Sequence, residues 1–391
     1  MENNRHDYPI NQLIKFYNMN LKHLFLASLC LLFANVSFTS CGSDNDEPVL
    51  NDKGSKVELP QTRAFILNEG AYQKNNANIT FYNPADNKTI ADIFYTQNSA
   101  KLGDTGQDMI AYNGNIYISL YGSNYLTKLN AAGVEQIRKS FAGDAVLGGG
   151  IRFLAADNGF IYATFYGGVV AKLNAETLEL VGTIKNMDSN LEGISVANGN
   201  LYVAKSYKMN GTKYEYQKDL SVINLSNFTL KESITVDTNP NQVLEEDNKV
   251  FLISWGNYGT DGYSFQMIDP AQNNKVTKLG VATKMTAGDD MIYLVNSVTD
   301  WKTYTTTNSF SSYNIKTGVM NSSSFLKNAP DELSSSSIYM MSADQKSGDI
   351  YVGVTFFSSG NGTIYRFAKD GTYKGKFDCG GISPAKMIFF N

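Results

Sequence analysis

The run Asn113-Gly114-Asn115-Ile116-Tyr117-Ile118-Ser119-Leu120, followed after a short loop by Tyr125-Leu126-Thr127-Lys128-Leu129-Asn130, decides the fold. Both pieces alternate apolar with polar residues and favour β-branched and aromatic types, the pattern of a strand with one buried face. Asn-Gly before the first piece tolerates positive φ at both positions, so it predicts a tight hairpin turn. The phrase recurs along the chain. Its copies centre on Phe65, Tyr117, Tyr162, Tyr202, Phe251, Tyr293 and Tyr351, at intervals of 40 to 58 residues. A repeat of that length points to blades or solenoid turns, and no convincing amphipathic helix supports a helical solenoid. Seven strand-rich copies over residues 62–391 therefore predict an all-β, seven-bladed β-propeller.

The two ends of the repeat array carry a further expectation. Gln107–Tyr112, Leu191–Val196 and Asn241–Leu244 precede their anchors as innermost strands. The terminal Ser383-Pro384-Ala385-Lys386-Met387-Ile388-Phe389-Phe390 has the same form with no anchor after it, whereas Phe65 has no inner strand before it. The last strand is expected to complete the first blade, which closes the ring and hides its edges.

Upstream, Met19 to His23 is a short basic stretch followed by an apolar run from Leu24 to Phe38, too short to span a bilayer and shaped like a leader. Residues 1–40 are expected to be a lipoprotein signal peptide, with Met19 a candidate start. Phe38-Thr39-Ser40-Cys41-Gly42 resembles a lipobox, which makes Cys41 the acylated residue. Residues 41–61, opening with the acidic Gly42-Ser43-Asp44-Asn45-Asp46-Glu47-Pro48, read as a flexible tether. An acidic run after the acylated cysteine also resembles a surface-export signal, so the expected location is the outer face of the outer membrane.

Losing that leader empties the chemical inventory. Both histidines, His6 and His23, lie in it, and the rest of the chain has no imidazole for a nucleophile pair or a His-bearing zinc site. Cys379 would be the one unmodified cysteine, so no disulfide forms within the chain. Three of the 33 basic and two of the 37 acidic residues leave with it, so 30 stand against 35. A mildly acidic chain without a basic cluster argues against nucleic acid.

Two stretches now carry a family resemblance. Leu67-Asn68-Glu69-Gly70 with Asn78-Ile79-Thr80-Phe81-Tyr82, and Leu102-Gly103-Asp104-Thr105-Gly106-Gln107-Asp108-Met109 with the Asn113 hairpin, resemble the YncE-like propeller lipoproteins of Bacteroidota. Among these the chain is most similar to the surface cobalamin-binding propellers associated with TonB-dependent corrinoid transporters. That resemblance implies a monomeric surface protein that captures cobalamin or another corrinoid and passes it to such a transporter, with no resident cofactor, no metal and no catalysis. A glycan-binding or protein-scaffold propeller is the alternative. A carboxylate-based glycosidase or lyase is a third, since two carboxylates suffice for glycoside hydrolysis.

Propeller topology gathers the second-to-third-strand loops on one face, and here these loops are rich in aromatics. They contribute Tyr72; Tyr121 and Tyr125; Phe165 and Tyr166; Tyr207, Tyr214 and Tyr216; Trp255, Tyr258 and Tyr263; Trp301 and Tyr304; Phe356 and Phe357. The expected ligand-binding set is Tyr72, Tyr121, Tyr166, Tyr207, Trp255, Tyr258, Trp301 and Phe356, with Asn68, Glu69, Asp104, Gln107 and Lys205 as polar partners. Asn241 and the backbone of Gly148-Gly149-Gly150 stand beside these, although a plain turn explains the triplet more simply.

Overall fold

The structure, a computed structural model, describes residues 49–300 and 302–391. The expected leader, Cys41 and Trp301 lie outside the described residues. Seven four-stranded sheets make up the chain from Arg63 onward. Their innermost strands touch in a closed cycle: Pro384–Phe390, Gly106–Tyr112, Ile151–Asp157, Asn190–Ala197, Pro240–Glu246, Lys284–Gly288 and Ile338–Ala343. The molecule is a seven-bladed β-propeller. Numbered from the first strand, blades one to seven have their second strands at Phe65, Tyr117, Tyr162, Tyr202, Phe251, Tyr293 and Tyr351, the seven repeat anchors.

Turn chemistry sets the blades. Asn113 and Gly114 have φ of 48° and 70°, Asn198 and Gly199 47° and 72°, and Asn158 with Gly159, Asp247 with Asn248 and Asp289 with Asp290 share that double positive-φ geometry. Two such residues make the turn whose twist matches paired strands, so each joins an innermost strand to its neighbour.

Packing between blades supplies the core. Seven clusters of buried side chains occur among the described residues, one at each junction of adjacent blades. The anchors sit in them. Tyr117 and Tyr351 are fully buried, and the Tyr117 hydroxyl donates to the Ala175 carbonyl of the next blade at 2.8 Å. Tyr202 reaches Asn274 of its own neighbour at 2.7 Å in the same way. An aromatic body fills the junction and its polar tip finds a partner across it.

The ring closes as expected. The last strand pairs antiparallel with the first, Phe65 opposite Ile388 and Ile66 opposite Met387, so blade one takes its inner strand from the end of the chain.

Residues 50–61 depart from the expected tether. Leu50, Val57 and Leu59 lie against the core between blades one and two, and the buried Arg63 guanidinium donates to both Asp52 carboxylate oxygens at 2.6 and 2.9 Å. Arg63 also reaches the Ala131 carbonyl, and Asn130 donates to the Lys53 carbonyl. The acidic composition that suggested a solvated spacer ends before this stretch, and three apolar residues with one ion pair hold it as a strap. Residues 50–391 accordingly form one compact unit, with the self-contained core of a domain that folds by itself. No helix among the described residues is long and apolar enough to cross a membrane.

Candidate functional site

Five of the blades have second strands of five or six residues, but two hairpins are longer. Asn200–Asn210 with Lys213–Asn224 in blade four, and Met291–Asp300 with Thr305–Asn314 in blade six, run on past the sheet. At roughly 3.3 Å per residue, five extra residues carry the blade-four hairpin about 16 Å further. Tyr207, Tyr214 and Tyr216 ride on this extension as paired strand residues, with Tyr207 opposite Tyr216, and not in the second-to-third-strand loop where the repeat pattern placed them.

An arc of rings results. Tyr121 meets Tyr166 at 5.5 Å between centroids, Tyr166 meets Tyr207 at 6.0 Å, Tyr207 meets Tyr214 and Tyr216 at 5.1 and 6.5 Å, and Tyr216 meets Tyr258 at 5.7 Å. Most contacts are edge-to-face, the favoured arrangement for aromatic pairs. Tyr214 and Tyr216 instead stack within 10° of parallel. Six tyrosines thus run unbroken across blades two to five.

Two glycines permit close approaches at this end of the ring. Gly150 has a φ of 105°, and a Cβ there would stand 2.5 Å from the Tyr121 ring, so the glycine triplet admits the ring. Gly193, on the innermost strand of blade four, approaches blade five so closely that a Cβ would meet the Asn241 carbonyl oxygen at 2.4 Å. Neither glycine is a ligand contact by default; each is a matter of clearance.

Beneath the arc lies a charged pair. Arg152, from the innermost strand of blade three, donates to Glu192 Oε2 through Nη2 at 2.8 Å and Nε at 3.1 Å, and through Nη1 to Gln107. Its guanidinium lies 5.0 and 4.6 Å from the Tyr121 and Tyr166 ring centroids. Tyr166 donates its hydroxyl to the other Glu192 oxygen at 2.6 Å. Burial disfavours the Arg152 charge, but Glu192, Tyr166 and Tyr121 together more than offset it and its pKa rises. The same burial pushes the Tyr166 hydroxyl far above its ordinary value.

Across the axis a second group is less evenly matched. Glu69 accepts a hydrogen bond from the Tyr339 hydroxyl. Burial pushes the Glu69 pKa up, only partly countered by that hydrogen bond and by the charges of Arg152 and Lys284. Lys284 lies 5.5 Å from the Tyr339 ring centroid and 6.0 Å from that of Trp255, with its pKa lowered by burial despite Glu69. All seven innermost strands, with these groups, line an axial cavity of about 480 Å³. A side cavity of about 290 Å³ shares Arg152, Asn241 and Trp255 with it and is walled by Tyr166, Tyr207, Tyr214, Tyr216 and Tyr258. Among the described residues no cluster of His, Cys, Asp and Glu is arranged to hold a metal ion.

Comparison with known proteins bears on this geometry through the fold. Residues 63–214 match a family model described as a domain of unknown function, DUF5074. A quinonprotein alcohol dehydrogenase-like protein of Bacteroides thetaiotaomicron superposes with a TM-score of 0.62 at 16% identity, over 85% of this chain and 78% of that one. Hydrazine synthase of Kuenenia stuttgartiensis gives 0.51 at 16% identity, over 66% and 74% of the two chains. Apo AztD of Citrobacter koseri gives 0.50 at 9%, over 84% and 97%. At such identities these likenesses speak for the propeller alone. No curated protein matches the chain.

Of the expected ligand-binding residues, Glu69, Tyr72, Gln107, Tyr121 and Trp255 line the axial cavity and Tyr166, Tyr207 and Tyr258 the side one. Asn241 lines both. Four others stand elsewhere. Asn68 is fully buried and donates to Asn78 Oδ1 at 2.7 Å, Thr80 Oγ1 at 3.2 Å and the Cys379 carbonyl at 3.0 Å, tying the first strand to the chain just before the last. Asp104 caps a turn, accepting from the Gln73 amide at 3.1 Å and the Thr105 hydroxyl at 3.0 Å. Lys205 stands 3.6 Å from Asp219 on the adjoining strand. Phe356 is half exposed, begins a short 3-10 turn at Phe357–Ser359 and lines neither cavity. Tyr125 and Phe165, counted among the loop aromatics, are core residues. Arg152, Glu192, Lys284 and Tyr339 went unread in the sequence, where each is a single polar residue on an irregular inner strand.

Proposed function

We propose that this protein is a non-catalytic capture protein, lipid-anchored through Cys41 at the outer membrane, that receives a corrinoid at the mouth of the propeller and passes it to a TonB-dependent transporter. The observation that carries the reading is the unbroken arc of six tyrosines beside a cavity lined with charged and amide side chains. Tyrosine gives broad amphipathic contact with only two torsions to fix. A cavity of about 480 Å³ sits within the range for small-ligand sites, roughly 300–1,000 Å³, and is smaller than a corrinoid. The macrocycle would therefore lie across the mouth on the arc and lower only its amide-bearing side chains towards Gln107, Asn241 and Arg152. The sequence resemblance supplies the ligand class, and the arc supplies the surface such a ligand needs.

Calorimetry of residues 50–391 with cyanocobalamin tests the reading. Saturable heat at micromolar ligand, weakened by Tyr166→Ala and by Tyr207→Ala, is the expected result. Absence of heat and of any thermal shift rejects the corrinoid. The parallel Tyr214 and Tyr216 rings, the first exposed and the second partly buried, favour one second reading, a sugar ring stacked on an aromatic platform. A glycan array distinguishes it.

A further inference from the structure

The axial and side cavities meet at Asn241. This residue lies near the start of the innermost strand of blade five, where the ladder slips by one residue between Pro240 and Gln242. Its backbone lies so close to Gly193 of blade four that no side chain would fit between them, which fixes the asparagine in place. Among the described residues neither Oδ1 nor Nδ2 of Asn241 has a hydrogen-bond partner. Both atoms are open to a molecule the size of water, as those of a sealed core residue are not. The residue as a whole is only 3% exposed, so that opening is onto the cavities. An amide held away from bulk water with both its donor and its acceptor unspent is costly unless something that enters the cavity meets it.

The remaining wall of the side cavity narrows what that could be. Its charges are matched internally: one Glu192 oxygen is taken by Arg152 and the other by the Tyr166 hydroxyl. Ser206 donates to Asn239. Tyrosine rings from blades three, four and five make up most of the rest. We propose that the side cavity is a pocket for an uncharged flat ring bearing an amide edge, a carbonyl oxygen beside an N–H, and that Asn241 is the residue that reads this edge. Asparagine presents an acceptor and a donor side by side in one plane. It pairs through two hydrogen bonds with a group offering the complementary pair, as it does with adenine. A carboxylate has no donor to return and would bring an unmatched charge into a cavity that already holds Glu192. Tyrosine faces supply the apolar contact for a flat ring, and a volume of about 290 Å³ suits a fragment of that size and not a macrocycle. The same edge occurs in a carboxamide attached to a ring and in a ring lactam. This inference rests on the mouth being a ligand site, but not on the ligand being a corrinoid.

Ligand-detected NMR titrations of residues 50–391 test the pocket with benzamide for the ring carboxamide and α-pyridone for the lactam. Benzoate and N,N-dimethylbenzamide, which keep the ring and lack the donor, serve as controls. Benzamide, α-pyridone or both should bind saturably at millimolar concentration, which also tells the two sources apart, and the controls should bind about tenfold more weakly or not at all. In Asn241→Leu the affinity for the amide should fall about tenfold or more, the loss of two neutral hydrogen bonds. The melting temperature of that variant should hold or rise, because its side chain gives up no partner within the protein. Equal binding of the controls, an unchanged affinity or a lower melting temperature in Asn241→Leu, or no saturable binding of either amide overturns the pocket. Saturable amide binding with no cyanocobalamin heat would reject the corrinoid and keep the pocket. Cyanocobalamin heat with no amide binding would reject the pocket alone.

Discussion

Tyr117 shows how a single anchor serves two blades, through a ring buried in one junction and a hydroxyl spent on the Ala175 carbonyl. Tyr117→Phe should cost about 1 kcal/mol, one net hydrogen bond, and Tyr117→Ala about 3–5 kcal/mol for the cavity it leaves; urea unfolding measures both. Tyr258 behaves differently. It is largely exposed and holds a φ of 55°, uncommon for an aromatic residue. Glycine relieves that conformation, so Tyr258→Gly should leave the melting temperature unchanged or higher while weakening ligand binding; a parallel fall in both would mark it as structural. Glu69 gives a pH signature. Its folded-state pKa lies above the ordinary 4.5, so as pH rises from there the unfolded chain ionises first and stability declines until the folded carboxyl also ionises. Glu69→Gln should remove that decline, which denaturation at a series of pH values will reveal as a narrowing wild-type advantage. Residues of the anchor kind were legible because they recur. Arg152, Glu192 and Lys284 were not, because nothing in sequence tells a lone charge on an inner strand from one on the solvated edge of the same blade.

At the scale of elements, the double positive-φ turns and alternating strands were written plainly in the sequence, down to Asn113-Gly114 and Asn198-Gly199. The blade-four hairpin was not. Tyr207, Met209, Tyr214 and Tyr216 alternate strictly with Lys208, Asn210, Lys213 and Glu215 as paired strand residues do, but they stand where the other repeats have their second-to-third-strand loop, and the repeat pattern masked the alternation. Replacing residues 207–216 with a two-residue Asn-Gly turn should therefore leave the melting temperature nearly unchanged, since no interblade core is lost, and should abolish ligand binding by removing three of the six rings. Gly193 makes the opposite case. A methyl there collides with the backbone of Asn241 and Val243, and Gly193→Ala should cost roughly 1–3 kcal/mol as an overpacked junction, visible as a lower urea midpoint.

For the whole molecule, closure by the last strand is what makes seven separate sheets one cooperative body, and the mismatched form of the two chain ends already implied it. Ending the chain at Ser383 should leave blade one with an open edge on Phe65 and expose the apolar side chains that Met387, Ile388 and Phe390 cover. Broad, non-cooperative melting and association in size-exclusion chromatography are expected. The strap of residues 50–63 adds a directional consequence. It is fastened beside the Asn130–Gly133 turn, at the same end as Asn113-Gly114, while Glu69 and Tyr121 emerge from their strands at the other. The strap thus enters the propeller at one end of its axis, and the loops that carry Glu69 and Tyr121 open at the opposite end, clear of that point of entry.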